Sequence, residues 1–249
     1  MLPMIRTLNQ KRLGGVLIEK GIVKDENEAF VIVTEGRVFV NGQKAVSPAQ
    51  PVRGESHIEI RGPKEFVSRG GYKLEAAIRR FGVSAAGKVC ADVGSASGGF
   101  VEVLLAHGAA KVYAIEAGRG KLDLKLREDP RVVVMEGANI LAMAALPEAI
   151  GLFTIDVSLT RLELVLLNIR KALRADGAVI ALFKPQYEVE DKSKLKHGIL
   201  KDEIIRRELV EQFRAWLREH GWGELGFMES PIRGSEGNVE YLFLLKLHT

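Results

Sequence analysis

The sequence predicts a large α/β domain with a doubly wound, mostly parallel sheet over residues 63–249, preceded by a small α+β module over residues 1–62. Three observations carry that expectation. From residue 89 onward, short apolar runs alternate with helical patterns, the rhythm of βαβ units. Val89–Val93 runs into the glycine-rich turn Gly94-Ser95-Ala96-Ser97-Gly98-Gly99, after which Phe100, Val103, Leu104 and Leu105 recur at helical spacing. Arg61-Gly62-Pro63-Lys64 reads as a linker, because glycine and proline end the strand before it.

Composition sets outer limits. A length of 249 residues holds one medium domain and one small one. With 47% hydrophobic and 27% charged residues, the chain is an ordinary globular protein with a sizeable core. The single cysteine, Cys90, lies within an apolar strand, which excludes intramolecular disulfides and fits a cytoplasmic location. No signal-peptide core is visible and no apolar run approaches the about 20 residues that span a bilayer, so neither secretion nor membrane insertion is expected. Net charge is +4; residues 1–64 carry 10 Lys and Arg against 7 Asp and Glu, leaving 26 against 25 for the rest. The small module is therefore the basic end, which permits an anionic partner without demanding one.

In the small module, Leu13, Val16 and Leu17 have helical spacing that closes at Gly21. Asp25 can cap a second helix through Ala29, Phe30, Ile32 and Val33, ending at Gly36. Residues 37–44 alternate into Asn41-Gly42, a strong hairpin signal, and residues 57–60 supply another alternating strand. Two short helices, this hairpin and a closing strand over residues 11–60, with "RL…LIEKG" and "GRVFVNG", resemble the small RNA-binding module of ribosomal small-subunit protein four (S4-like) and of many pseudouridine synthases. The resemblance implies Arg12, Lys20, Arg37 and Lys44 as RNA-backbone contacts; each reads equally as a solvated surface charge. Such contacts lend affinity and orientation more than sequence choice.

After the linker comes Ser68-Arg69-Gly70-Gly71-Tyr72-Lys73-Leu74, then helical spacing through Ala77, Ile78 and Phe81. Lys73 thus stands at a helix start, where a cation gains nothing from the dipole. At the glycine turn, the absence of Cβ atoms lets a ligand approach the backbone and the helix start offers unpaired N–H groups, although a merely tight turn would use the same glycines. Lys111–Glu116 reads as a second strand whose terminal carboxylate, Glu116, suits the two hydroxyls of a ribose. A third strand at 132–135 leads to Asn139, and a fourth at 153–156 ends in Asp156. Residues 169–173 fit a helix stopping before Gly177, and a fifth strand at 179–183 ends in Lys184-Pro185. An amphipathic helix over 204–217 buries Leu209, Phe213 and Leu217, and Tyr241–Leu247 closes as an apolar strand with Glu240 at its beginning. Ligands of such sheets bind at the carboxyl ends of strands, where Gly94, Glu116, Asn139, Asp156 and Lys184 all fall.

Taken together, "SRGGYKL", "DVGSASGGF", "IDVS", "LFKPQYE", "HGILKD" and "GNVEY" resemble the FtsJ-like S-adenosylmethionine-dependent ribose methyltransferases, and more closely the TlyA-type rRNA 2′-O-methyltransferases, a family whose members also carry the label hemolysin. The resemblance implies a Rossmann-like class I methyltransferase fold and a tetrad of Lys73, Asp156, Lys184 and Glu240. It implies S-adenosylmethionine on Gly94, Ser95, Ser97, Gly98, Gly99 and Phe100, with Glu116 at the ribose, Asn139 near the adenine and Asp156 beside it. The implied substrate is a cytidine of ribosomal RNA at the subunit interface. One departure is visible: the family reads "DVSFIS" where this chain has Asp156-Val157-Ser158-Leu159-Thr160-Arg161.

The chemistry asks for such a tetrad. A ribose hydroxyl is a poor nucleophile, and a lysine of lowered pKa beside a second lysine could accept or orient its proton; Lys184 is expected in that role, oriented by Asp156. A sulfonium methyl is already activated, so alignment supplies much of the acceleration. No metal is expected, since five histidines and one cysteine show no ligand spacing. Two other function classes remain open. A non-catalytic RNA-binding or ribosome-associated protein would keep the basic module without the tetrad, and a hemolysin would need a membrane-active segment. A base methyltransferase would carry an Asn/Asp-Pro-Pro-aromatic motif at the fourth strand, where this chain has "IDVSLT".

Overall fold

A computed structural model describes residues 10–62, 66–143, 145–234 and 236–248. It divides into two compact units, residues 1–65 and 66–249. Of the expected linker, Pro63 and Lys64 lie outside the described residues.

The first unit starts with a short strand, β1 (Gln10–Arg12), followed by α1 (Leu13–Glu19) and α2 (Glu26–Thr34), the latter capped by Asp25 accepting from the Glu28 N–H. Strands β2 (Val38–Val40) and β3 (Gln43–Lys44) form the hairpin, with Asn41 and Gly42 at φ 50° and 81°, the pair of positive values a two-residue turn requires. β4 (Pro51–Arg53) pairs antiparallel with β1, and β5 (Ile58–Ile60) with β2. Leu13, Val16, Leu17, Ala29, Val33 and Val38 make the core. β1 and β4 escape sequence reading because Gln10-Lys11-Arg12 is fully exposed and carries no apolar alternation.

The second unit holds α3 (Gly70–Phe81), β6 (Val89–Val93), α4 (Gly99–Ala106), β7 (Lys111–Glu116), α5 (Leu124–Arg127), β8 (Val132–Glu136), β9 (Ile150–Ile155), α6 (Leu162–Ile169), β10 (Leu173–Phe183), α7 (Pro185–Glu188), α8 (Glu203–Glu219), β11 (Trp222–Glu229) and β12 (Tyr241–Leu247). Seven strands make one sheet in the order β11-β12-β10-β9-β6-β7-β8. All neighbours are parallel except β12, which runs antiparallel to both β10 and β11. Successive residues of each strand face opposite sides. Cys90, Val112, Leu152, Ile180 and Leu242 therefore pack under α3 and α4, while Ala91, Ile115, Phe153, Val179 and Phe243 pack under α6 and α8.

Two readings are corrected. The helix expected at 169–173 lies earlier, because Leu162, Val165, Leu166 and Ile169 form its buried stripe; Leu173 already belongs to β10, whose pairing with β9 is interrupted until Ala178. β11 was hidden by a bulge: Glu224 and Gly226 pair with adjacent residues of β12, so Leu225 is squeezed out and 61% exposed, which breaks the alternation.

Candidate active site

The strand register makes one rim. Val93 lies opposite both Ile115 and Ile155, and Ile155 opposite Ala181, so β6, β7, β9 and β10 end nearly level. β12 runs the other way with Tyr241 opposite Phe183, which brings its beginning to the same edge. Gly94, Glu116, Asp156, Lys184 and Glu240 thus share a rim although they are scattered through the sequence.

The four tetrad residues stand there as two ion pairs. Lys184 Nζ lies 2.6 Å from Asp156 Oδ1 and donates to Ser158 Oγ at 3.2 Å. Lys73 Nζ lies 2.5 Å from Glu240 Oε2, with the two residues 5% and 3% exposed. Lys73 is in the first turn of α3, so Glu240 supplies the compensation that the helix dipole does not. Burial alone would raise the Asp156 carboxyl, but Lys184, Lys73 and Arg69 hold it below the ordinary carboxylate range. Burial alone would lower the Lys184 ammonium, but Asp156 and Glu240 outweigh it and hold it above its ordinary value. The expectation of a lysine with lowered pKa is therefore corrected: the nearest charge to Lys184 is a carboxylate, not the second lysine. Arg69, which sequence reading passed over, faces the same two carboxylates, and burial holds its guanidinium below its ordinary value. Within this cluster three cations, Lys73, Lys184 and Arg69, stand against two carboxylates, Asp156 and Glu240.

Beside the pairs opens a cavity of about 370 Å³, a size within the usual range for small-molecule sites, and its lining includes Gly94, Glu116, Asn139, Asp156 and Ser158. Gly94 has φ 86°, and a Cβ there would lie 2.3 Å from the Asp156 backbone oxygen, so only glycine lets the turn pass beneath the cavity. Glu116 Oε2 accepts from the Ala96 N–H at 3.0 Å and Oε1 from the Gly118 N–H at 2.7 Å and Lys121 Nζ at 2.9 Å. Against the pull of burial, these donors keep its carboxyl below the ordinary range. Its carboxylate therefore ties the glycine turn to the loop after β7, and Lys121, also in the lining, is a neighbour that sequence reading did not name. Asn139 stands at the rim and its Oδ1 caps a short 3₁₀ turn by accepting from the Leu141 N–H at 3.0 Å.

The remaining residues of the glycine turn sit differently. Ser95 is buried, its N–H bonded to the Ile115 carbonyl, and the Ser97 carbonyl accepts from Asp123. A Cβ on Gly98 would collide with Leu126 and Leu122, and one on Gly99 with Ser68 Oγ and the Gly71 backbone. Phe100 belongs to the core under α3 and α4. None of these five lines the cavity. In the first unit, Arg12, Lys20 and Lys44 are exposed, the Lys44 Cε and Nζ lying over Gly36, whereas Arg37 bonds Glu35 and the Gly62 carbonyl.

One buried acid stands behind the turn. Asp92 is 1% exposed, accepts from Thr154 Oγ1 at 2.7 Å, and its Oδ2 has no hydrogen-bond partner among the described residues. Burial pushes its carboxyl up to about 8 from an ordinary 3.8. Between those values Asp92 keeps a proton in the folded chain that it releases in the unfolded one, so its contribution to stability falls as pH rises from about 4 to about 8. Asp92→Asn should remove that slope, so the variant gains on wild type across this window; thermal midpoints measured against pH check it, and parallel curves would contradict it.

Among the described residues no group of His, Cys, Asp and Glu is arranged to hold a metal ion, and no helix is long and apolar enough to cross a membrane.

Residues 66–247 match the FtsJ-like methyltransferase family. The 16S/23S rRNA (cytidine-2′-O)-methyltransferase TlyA of Mycobacterium tuberculosis is 36% identical over 244 residues, covering 96% of this chain and 90% of that protein. Hemolysin A of Brachyspira hyodysenteriae is 36% identical over 234 residues, covering 93% and 98%. A solved structure named as a hemolysin, from Streptococcus thermophilus, superimposes with a TM-score of 0.74 at 31% identity over 97% of this chain and 90% of that one.

Proposed function

Because the chain belongs to the FtsJ-like methyltransferase family, we infer that it transfers a methyl group from S-adenosylmethionine to a ribose 2′-hydroxyl of ribosomal RNA, at a cytidine as in the name of the mycobacterial relative, in the cytoplasm. The observation that carries the reading is the Lys184–Asp156 pair beside a cavity floored by Gly94, backed by the buried Lys73–Glu240 pair. Residues 1–62 are read as an S4-like RNA-binding module, with exposed Arg12, Lys20 and Lys44 as its foremost phosphate contacts.

The cavity fits the cofactor: it has the volume, the Gly94 turn in its lining, and a strand-end carboxylate for the ribose. When bound, S-adenosylmethionine supplies a methyl group activated by its sulfonium. Gly94 sets the turn close against the Asp156 backbone and so shapes the cavity wall, Glu116 accepts from the ribose hydroxyls in exchange for Lys121, and Asn139 borders the adenine. Lys184, held as an ammonium, donates from Nζ into one lone pair of the substrate oxygen and leaves the other aimed for attack. The Asp156 carboxylate holds that ammonium in place. Once the C–O bond forms, the oxygen's proton is acidic enough that even a carboxylate of depressed pKa accepts it. Lys73 and Arg69 supply positive charge toward a phosphate backbone.

Glu116→Ala is expected to weaken S-adenosylmethionine binding roughly 10- to 100-fold, the worth of a hydrogen bond to a charged group. Calorimetry reads this, and an unchanged Kd would move the site elsewhere.

A further inference from the structure

The departure at Leu159-Thr160-Arg161 has a structural counterpart. Asp156 leaves β9 on a loop that ends at α6, and Lys184 leaves β10 directly into α7. Their mutual sheet pairing last fixes Ala181 against Ile155; the Asp156 N–H still donates to the Val93 carbonyl and Phe183 still pairs with Tyr241, and the loop after Asp156 then runs to α6 outside the sheet. Arg161 occupies the N-cap position of α6, where its side chain makes no capping hydrogen bond. The Leu162 N–H donates instead to Glu188 Oε1 at 3.0 Å, an acceptor reaching over from α7. Arg161 then ties back: its guanidinium lies 3.7 Å from Glu188 Oε2, 2.8 Å from Glu163 and 3.7 Å from Glu190. Glu188 is 9% exposed, so this is a built contact rather than a surface pairing. Between tie and active pair the loop turns sharply, with Leu159 at φ 65°.

We propose that Glu188 is a positioning residue for methyl transfer: by capping α6 from α7 it holds the Asp156 loop in register with Lys184. The proposal rests on the function inferred above. The cap comes from a carboxylate on the segment that follows Lys184 rather than from the helix's own N-cap side chain, so the two halves of the Lys184–Asp156 pair are bound together twice.

The test uses the full chain, ribosomal subunits as substrate and saturating S-adenosylmethionine. Glu188→Met keeps the volume and removes both acceptors; kcat should fall tenfold or more while KM for the subunits holds. Glu188→Gln keeps an acceptor for Leu162 and should stay within threefold of wild type. Arg161→Ser in the Glu188→Met background caps α6 from the helix's own N-terminus and should recover stability, but it does not rejoin α6 to α7, so kcat should stay low. If Glu188→Met does not fold, the double variant is measured in its place and should be folded with kcat tenfold or more below wild type. A folded Glu188→Met or double variant with kcat within twofold of wild type, or a Glu188→Gln enzyme that falls tenfold, overturns the proposal. Wild type that fails to methylate the subunits would instead overturn the inferred function, which keeps the two failures distinct.

Discussion

Lys184→Ala lowers the single-turnover rate of methyl transfer by roughly 10²- to 10⁴-fold, the usual range for removing a group that handles a proton or aims a nucleophile. Affinity for S-adenosylmethionine stays within a few-fold, because the lysine acts on the substrate oxygen and its loss is felt in the transition state. Lys184→Arg does not restore the rate, since a planar guanidinium cannot place a single donor where the ammonium sits 2.6 Å from Asp156. The pH profile separates the two roles a lysine could have. Asp156 is held low and Lys184 high, so both stay ionised and the rate of the chemical step is level through the neutral range, falling only as acid protonates Asp156 or alkali deprotonates Lys184. A rate that climbs through neutrality would mean that Lys184 must first lose its proton.

Glu240→Ala destabilises the chain by about 3–5 kcal/mol, because it leaves the Lys73 ammonium buried and without its carboxylate. Asp156 already attracts Lys73 from a distance and stays paired with Lys184, so it does not replace the direct contact. Replacing the pair with apolar residues of similar volume, Lys73→Met with Glu240→Leu, should return most of that stability without returning activity. Chemical denaturation measures both, and a Glu240→Ala variant within about 1 kcal/mol of wild type would mean that the pair is solvated or otherwise satisfied.

The sequence made the parallel strands legible because strands buried on both faces are continuous apolar runs, and Gly94, Glu116, Asp156 and Lys184 follow from where those runs stop. The partnership of Lys73 with Glu240 was reachable only through family resemblance. It spans 167 positions and depends on β12 entering the sheet antiparallel, which no local pattern announces. The direction of the Lys184 shift was misread for a related reason: burial and a second lysine argue downward, and only the distance to Asp156 shows that the carboxylate wins. Gly98, Gly99 and Phe100 read as ligand contacts because packing and binding ask the same residue types of a tight turn. Glu188 closes the motif "LFKPQYE", but its task was not legible there, since it is defined by a helix N-terminus 26 residues away.

The central claim is that the methyl group goes to a ribose oxygen, and the chemistry of the product decides it. Ribosomal subunits from cells lacking the protein are treated with purified enzyme and S-adenosylmethionine labelled in the methyl group, and the RNA is then hydrolysed in alkali. A 2′-O-methyl group removes the neighbouring nucleophile that alkali needs, so the label should appear in alkali-resistant dinucleotides. Label recovered in mononucleotides would place the methyl on a base and contradict the account.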